Sequence, residues 1–245
     1  VVIAAVASIW LLRSHRAADE ARPVPVVAPA AAPMTLAVLP FETDQSNVYA
    51  SEGFVEGLFR DLVSVDGLRV ITPRSPAFDE SAQARILRGS IRGTEPELTV
   101  DAELVHGSDG STFWRHRYSS RGNLSVIERQ LSRDVATQLR TIAPASMSAV
   151  ASSRKRYDPA PEAYREYLKG RHYWNKFTAE GREKAREHFE QAIDLDPAYA
   201  LAYAGLADTY TMMGFYGERP EETFPKGRAA ARRASGRATR CWKAP

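Results

Sequence analysis

The sequence predicts two folded domains in series, an α/β domain over residues 36–142 and all-α helical hairpins over 158–234. Short apolar runs suited to strands alternate with one-faced helical patterns from Leu36 onward. After Asp158 a 3.6-residue period takes over, and small, aromatic and proline residues recur at fixed helical spacings. The 245 residues are 44% hydrophobic and 26% charged, which is enough apolar material to build cores and excludes a disordered chain.

Val1–Leu12 (VVIAAVASIWLL) carries no charge and is followed by Arg13, His15 and Arg16. A span needs about 20 apolar residues. The run therefore reads as the end of a transmembrane helix whose earlier part precedes Val1, in a chain that starts without methionine. Residues 13–35 follow as a basic flank and a linker, with Pro23, Pro25, Pro29 and Pro33 favouring extended backbone. The soluble part is then expected on one side of an inner membrane. Arg13 and Arg16 argue for a cytoplasmic side, but the charge rule compares both flanks and the one before Val1 is unseen.

Leu36–Phe41 is short and apolar, as a buried strand would be, and stops near Pro40. Ser51 can cap a helix to about Ser64, whose Phe54, Leu58, Phe59 and Leu62 share one face. Asp66-Gly67 turns the chain into a second strand, Leu68–Ile71. Ile86–Ile91 and Leu98–Val105 read as further strands, the latter alternating through Leu98, Val100, Ala102 and Leu104. Gly107–Gly110 supplies turn chemistry for a hairpin into Thr112–Tyr118. Leu124, Ile127, Leu131, Val135 and Leu139 then mark an amphipathic helix, with Asn123 at its start rather than as a glycosylation acceptor.

Residues 143–157 lack periodicity and read as a joint. Asp158 and Pro161 predict a helix start, Thr178 the cap of the next helix, and Asp196-Pro197 its end. Ala185, Phe189, Ala192 and Pro197 have the spacing of the second helix of a helical-hairpin repeat. There the small residues allow close approach, the aromatic fills the groove and proline ends the helix. Tyr203, Leu206, Ala207 and Tyr210 keep the register into a next first helix, and Gly227, Ala231 and Ala234 into its second. The loops His172–Phe177 and Gly214–Pro225 are expected to be long. Ser235–Pro245 (SGRATRCWKAP) is expected to leave the helical pattern.

These spacings resemble the tetratricopeptide repeat, with about two repeats present. The strand segments around Leu36–Phe41, Gly67–Ile71, Arg88–Arg92 and Phe113–Tyr118, taken in that order, resemble the TolB-like α/β domain of bacterial membrane-anchored signalling proteins. In that family the domain precedes tetratricopeptide repeats that often begin like Tyr164–Trp174 (YREYLKGRHYW). It follows a membrane span joined to a winged-helix, adenylate cyclase or protein kinase domain. The resemblance implies a membrane-anchored regulator and, from winged-helix relatives, a periplasmic side. Two departures stand out: the Ile71–Ile86 connection is short, and His116 stands where many relatives carry an acid.

Charge and motifs narrow the function classes. The net charge is +3, and seven Lys and Arg residues from Lys226 to Lys243 run without an intervening acid, so the basicity belongs to the tail. No reading module accompanies this run, and nucleic-acid binding is not expected. Cys241 is the single cysteine, which rules out an internal disulfide. Phosphate-loop, dinucleotide, zinc-protease and hydrolase-elbow motifs are absent from the sequence. Glu103, His106 and His116 lie near one hairpin, but 103 and 106 point to opposite faces of a strand. No catalytic, cofactor or metal residue is therefore assigned.

The reading expected first is a non-catalytic sensory or scaffolding region, not an enzyme, with the repeats binding a protein partner and Tyr173 and Trp174 as candidate contacts. One alternative is a small-ligand- or nucleotide-binding α/β enzyme fragment, with its site at the strand ends near Pro40–Ser51. The other is the effector part of a transcriptional regulator whose DNA-binding domain lies outside this chain.

Overall fold

The strands expected from Leu36 onward assemble into one mixed sheet. The computed structural model describes residues 33–44, 48–73, 85–94, 97–121, 123–144, 147 and 157–243, with side chains through 236. The candidate membrane segment Val1–Leu12, the linker, most of the joint and the Ile71–Ile86 connection lie outside them. Among the described residues no helix is long and apolar enough to cross a membrane.

β1 (Met34–Val38) runs parallel to both β3 (Leu68–Ile71) and β4 (Arg85–Thr94), and β2 (Glu42–Thr43) extends the pairing along β4. β4, β5 (Glu97–His106) and β6 (Thr112–Arg121) then follow antiparallel, giving the order β3-β1-β4-β5-β6. Asp109 Oδ1 accepts hydrogen bonds from the Ser111 amide and hydroxyl at 2.9 and 2.7 Å, and Gly110 takes φ +67°, which closes the β5–β6 hairpin.

Alternation on β5 buries Leu98, Val100, Ala102 and Leu104 on the helix-covered face. Its other side carries Asp101 and Glu103, paired across strands to Arg117 at 2.6 Å and to Arg88 and Arg115, both at 2.6 Å. Glu103 is spent in this exposed ladder. His106 packs against Phe113 with the rings tilted, and His116 lies between Trp114 and Tyr118.

Two helices cover the inner face, α1 (Val48–Val63) and α2 (Leu124–Ile142). Phe54, Leu58 and Leu62 of α1 are fully buried, each stabilising by about 2 kcal/mol. Asn123 caps α2 by accepting from the Val126 amide, as its position before the apolar stripe predicts.

The remaining helices form antiparallel neighbours in chain order: α3 (Pro161–Trp174), α4 (Ala179–Leu195), α5 (Ala200–Phe215) and α6 (Pro220–Lys243). Thr178 caps α4 through the Gly181 amide at 2.9 Å. Phe189 is fully buried between α3 and α5, where a Cβ on Gly170 or Gly205 would come within 2.6 or 2.5 Å of its ring. Glycine at these two positions lets the helices close on the aromatic.

The two parts expected as separate domains share one hydrophobic core. α1 touches the sheet on one side and α3 on the other, with Gly53 against Leu168 and Arg171 paired to Glu56 at 2.8 Å.

Several local expectations are corrected. Asp158 does not cap α3; it accepts from Ser125 Oγ at 3.0 Å and pairs with Arg129 at 2.9 Å. Asp196 takes the corresponding role, accepting from the Ala160 amide at 3.0 Å and the Tyr157 hydroxyl at 2.6 Å, so the end of α4 fastens the start of α3. Asp196→Ala should cost about 1 kcal/mol in urea unfolding, since it takes the shared acceptor from a part-buried amide and a part-buried hydroxyl.

Both hairpin loops are also shorter than expected. α3 runs to Trp174, and α6 starts at Pro220, where the missing N–H costs nothing, so Pro225 falls inside that helix. On α6 the buried face is Thr223, Gly227 and Ala230, while Ala231 is exposed and Ala234 half-buried. Gly227 lies against Ala207, Tyr210 and Thr211 of α5, and this packing turns Ala230 rather than Ala231 inward. Helical backbone continues to Lys243 because Ala, Arg and Lys favour it, so the tail does not leave the pattern.

Candidate ligand-binding site

Where α1, α2, α3 and α5 converge, polar side chains line a cavity of about 320 Å³. α1 contributes Arg60, α2 Ser125, Glu128 and Arg129, the 157–164 stretch Tyr157, Pro159 and Tyr164, and the start of α5 Tyr199, Ala200 and Leu201. Glu128 sits on the apolar stripe of α2, one turn after Leu124 and just before Leu131, so the helix that fills the core also delivers a carboxyl into it.

Gly57 of α1 makes room for that carboxyl, since a Cβ there would lie 2.1 Å from Glu128 Oε2. The Tyr164 hydroxyl donates to Glu128 Oε2 in a short hydrogen bond, and Arg60 Nη2 stands 3.5 Å from Oε1. Burial pushes the Glu128 carboxyl up to about 7, against the lowering effect of Arg60, Tyr164 and Arg129. For Arg60, burial acts in the lowering direction, but Tyr167, Glu128 and Tyr164 hold its pKa above the ordinary value. The site thus keeps a permanent cation beside a carboxyl that titrates near neutrality.

Tyr199 is 3% exposed, and its hydroxyl has no hydrogen-bond partner. Burial raises the pKa of Tyr164 and Tyr199 well above the ordinary phenol value, so both remain neutral donors. Among the described residues no cluster of His, Cys, Asp or Glu could hold a metal ion.

The residues singled out from sequence lie elsewhere. Ala185, Phe189 and Ala192 are fully buried, Tyr203, Leu206 and Ala207 nearly so, and Pro197 is exposed just beyond α4. Tyr210 is half-buried and donates to Glu190 at 2.9 Å. Tyr173 and Trp174 are half-buried as well: the Tyr173 ring stacks on His188, and the Arg171 guanidinium covers Trp174. No described residue of Pro40–Ser51 lines the cavity, and the Ser51 hydroxyl is engaged by the Phe41 carbonyl at 2.6 Å. A glutamate inside the stripe of α2 was the one available sequence signal for the site.

The chain matches no protein-family model. It is 28% identical over 211 residues to a protein of Rhizobium meliloti (strain 1021) named "Putative adenylate cyclase 3", covering 77% of this chain. The chain spans 35% of that relative's length. TolB from Acinetobacter baumannii is 16% identical with a TM-score of 0.35, over 48% of this chain and 30% of that one. The PelC dodecamer from Paraburkholderia phytofirmans is 20% identical with a TM-score of 0.32, over 49% of this chain and 94% of that one. Both structural likenesses are too loose to carry a functional argument. The sequence relative corrects the expectation of a non-catalytic, partner-binding scaffold, because a protein matched across most of this chain bears the name of an enzyme.

Proposed function

We propose that the chain is a small-ligand-binding α/β fragment of a signalling enzyme, with the Arg60–Glu128–Tyr199 pocket as its binding site. One observation carries the site: Tyr199, whose buried hydroxyl has no hydrogen-bond partner, lines a cavity together with Arg60 and Glu128. A buried hydroxyl left unsatisfied costs about 1–3 kcal/mol, which a ligand acceptor would recover. The relative of adenylate-cyclase name supports the enzyme class and the nucleotide chemistry of the parent protein.

In this reading the α/β layer is TolB-like, supported by the strand segments quoted above. The helical layer is of tetratricopeptide type, supported by Phe189 seated between Gly170 and Gly205. The helices serve as the second wall of the pocket, since α3 and α5 supply Tyr164 and Tyr199.

Thermal unfolding of the chain with ATP, cyclic AMP, AMP and adenosine tests the proposal. A saturable rise in Tm that is lost on filling the cavity with Leu201→Trp supports it. The absence of any rise, or a rise the filled variant retains, overturns it.

A further inference from the structure

The pocket's unspent hydrogen-bonding groups are donors. Tyr199 is the N-cap residue of α5 and makes no side-chain cap hydrogen bond, so its hydroxyl is not used on its own helix. The Ala200 and Leu201 amides belong to the first turn of that 16-residue helix, where N–H groups have no intrahelical acceptor and the helix dipole is positive. Arg60 reaches its two partners, Glu128 and Tyr167, only at 3.5 Å each, the long limit of a hydrogen bond. Two of the three charged residues lining the cavity are arginines; Arg129 is held by Asp158 at 2.9 Å, which leaves Arg60 as the less engaged of the two.

The carboxylate that lines the cavity, by contrast, is occupied. Glu128 receives Tyr164 and Arg60, and just outside the lining Asp158 receives Ser125 and Arg129 and Asp196 receives Tyr157. A cationic ligand would find no free carboxylate here.

We infer that the pocket binds a compact oxyanion, the phosphate or carboxylate group of a small molecule, at the N-terminus of α5 between the Tyr199 hydroxyl and the Arg60 guanidinium. The inference rests on the proposed small-ligand function and names its chemistry. An oxyanion lone pair satisfies each donor: phenol, guanidinium and the two amides. Pro159, Leu201 and the Tyr157 and Tyr164 rings leave the rest of the cavity wall suited to a small organic body.

Calorimetric titration of the 245-residue chain with inorganic phosphate, AMP, acetate and neutral adenosine, in chloride at matched ionic strength, tests it. The expected result is saturable binding of phosphate or acetate that weakens about tenfold or more in Tyr199→Phe, the loss of one hydrogen bond to a charged group. The variant should match or exceed the wild type in thermal stability, because it removes an unsatisfied hydroxyl. AMP binding with no phosphate or acetate binding, equally sensitive to Tyr199→Phe, would mean that the organic body and not the bare anion is recognised. Adenosine bound as tightly as AMP would overturn the inference while leaving the small-ligand reading standing. No binding by any of the four would overturn both.

Discussion

Phe189→Ala should lower the unfolding free energy by about 3–5 kcal/mol, with an unchanged urea m-value. The ring is fully buried, lies 5.8 Å from that of Tyr167, and fills a slot whose walls are the backbones of Gly170 and Gly205. Glycine walls have no side chains that could swing in, and α3 is pinned to α1 by Arg171–Glu56 and by Leu168 on Gly53, so the cavity cannot collapse cheaply. Phe215→Ala is the matched control: the same deletion at a ring that is 75% exposed should cost less than about 0.5 kcal/mol. Equal losses at the two positions would mean that the hairpins do not share the slot.

The second large effect is electrostatic. With a carboxyl held near 7 in the folded state against 4.5 unfolded, the folded chain keeps a proton that the unfolded chain releases between those values. Stability therefore falls as pH rises from about 4.5 through 7, by about 3 kcal/mol in all, and levels off above. Arg60 and Glu56 on α1, Arg129 on α2, Tyr164 on α3 and Tyr199 at the N-cap of α5 surround the group, and burial keeps both phenols neutral. In Glu128→Gln the amide oxygen can still accept from Tyr164, and the decline across this window should flatten. Urea midpoints at pH 5, 6, 7 and 8 read both slopes; an unchanged slope in the variant would place the titrating group elsewhere.

Regular periodicity made most of the scaffold legible in sequence. β3 falls on Leu68–Ile71 as predicted, and Leu124 to Leu139 trace α2, because each pattern repeats along a single element. What depends on the meeting of distant elements was not legible. Asp158 and Asp196 are both acids before a proline, and only the packing of α4 against the start of α3 decides that Asp196 holds the Ala160 amide there while neither caps the helix. On α6 the one-residue exchange of Ala231 for Ala230 follows from how Gly227 seats on α5, a contact between elements that spacing along one helix does not define.

The pocket was the least visible feature, since its residues come from four helices and the stretches that precede two of them, far apart in the chain. Glu128 breaks the apolar stripe of α2 and is the exception. A lone acid at a position that periodicity assigns to the core is a local conflict, and such conflicts gather where a structure does chemistry.

Amide hydrogen exchange at Ala200 and Leu201, followed with and without saturating phosphate, tests the ligand site most directly. Exchange at these two amides should slow, because the bound oxyanion becomes their acceptor, and in Tyr199→Phe the same slowing should require about tenfold more phosphate. Unchanged exchange there, or protection confined to the strand ends near Pro40–Ser51, would contradict it.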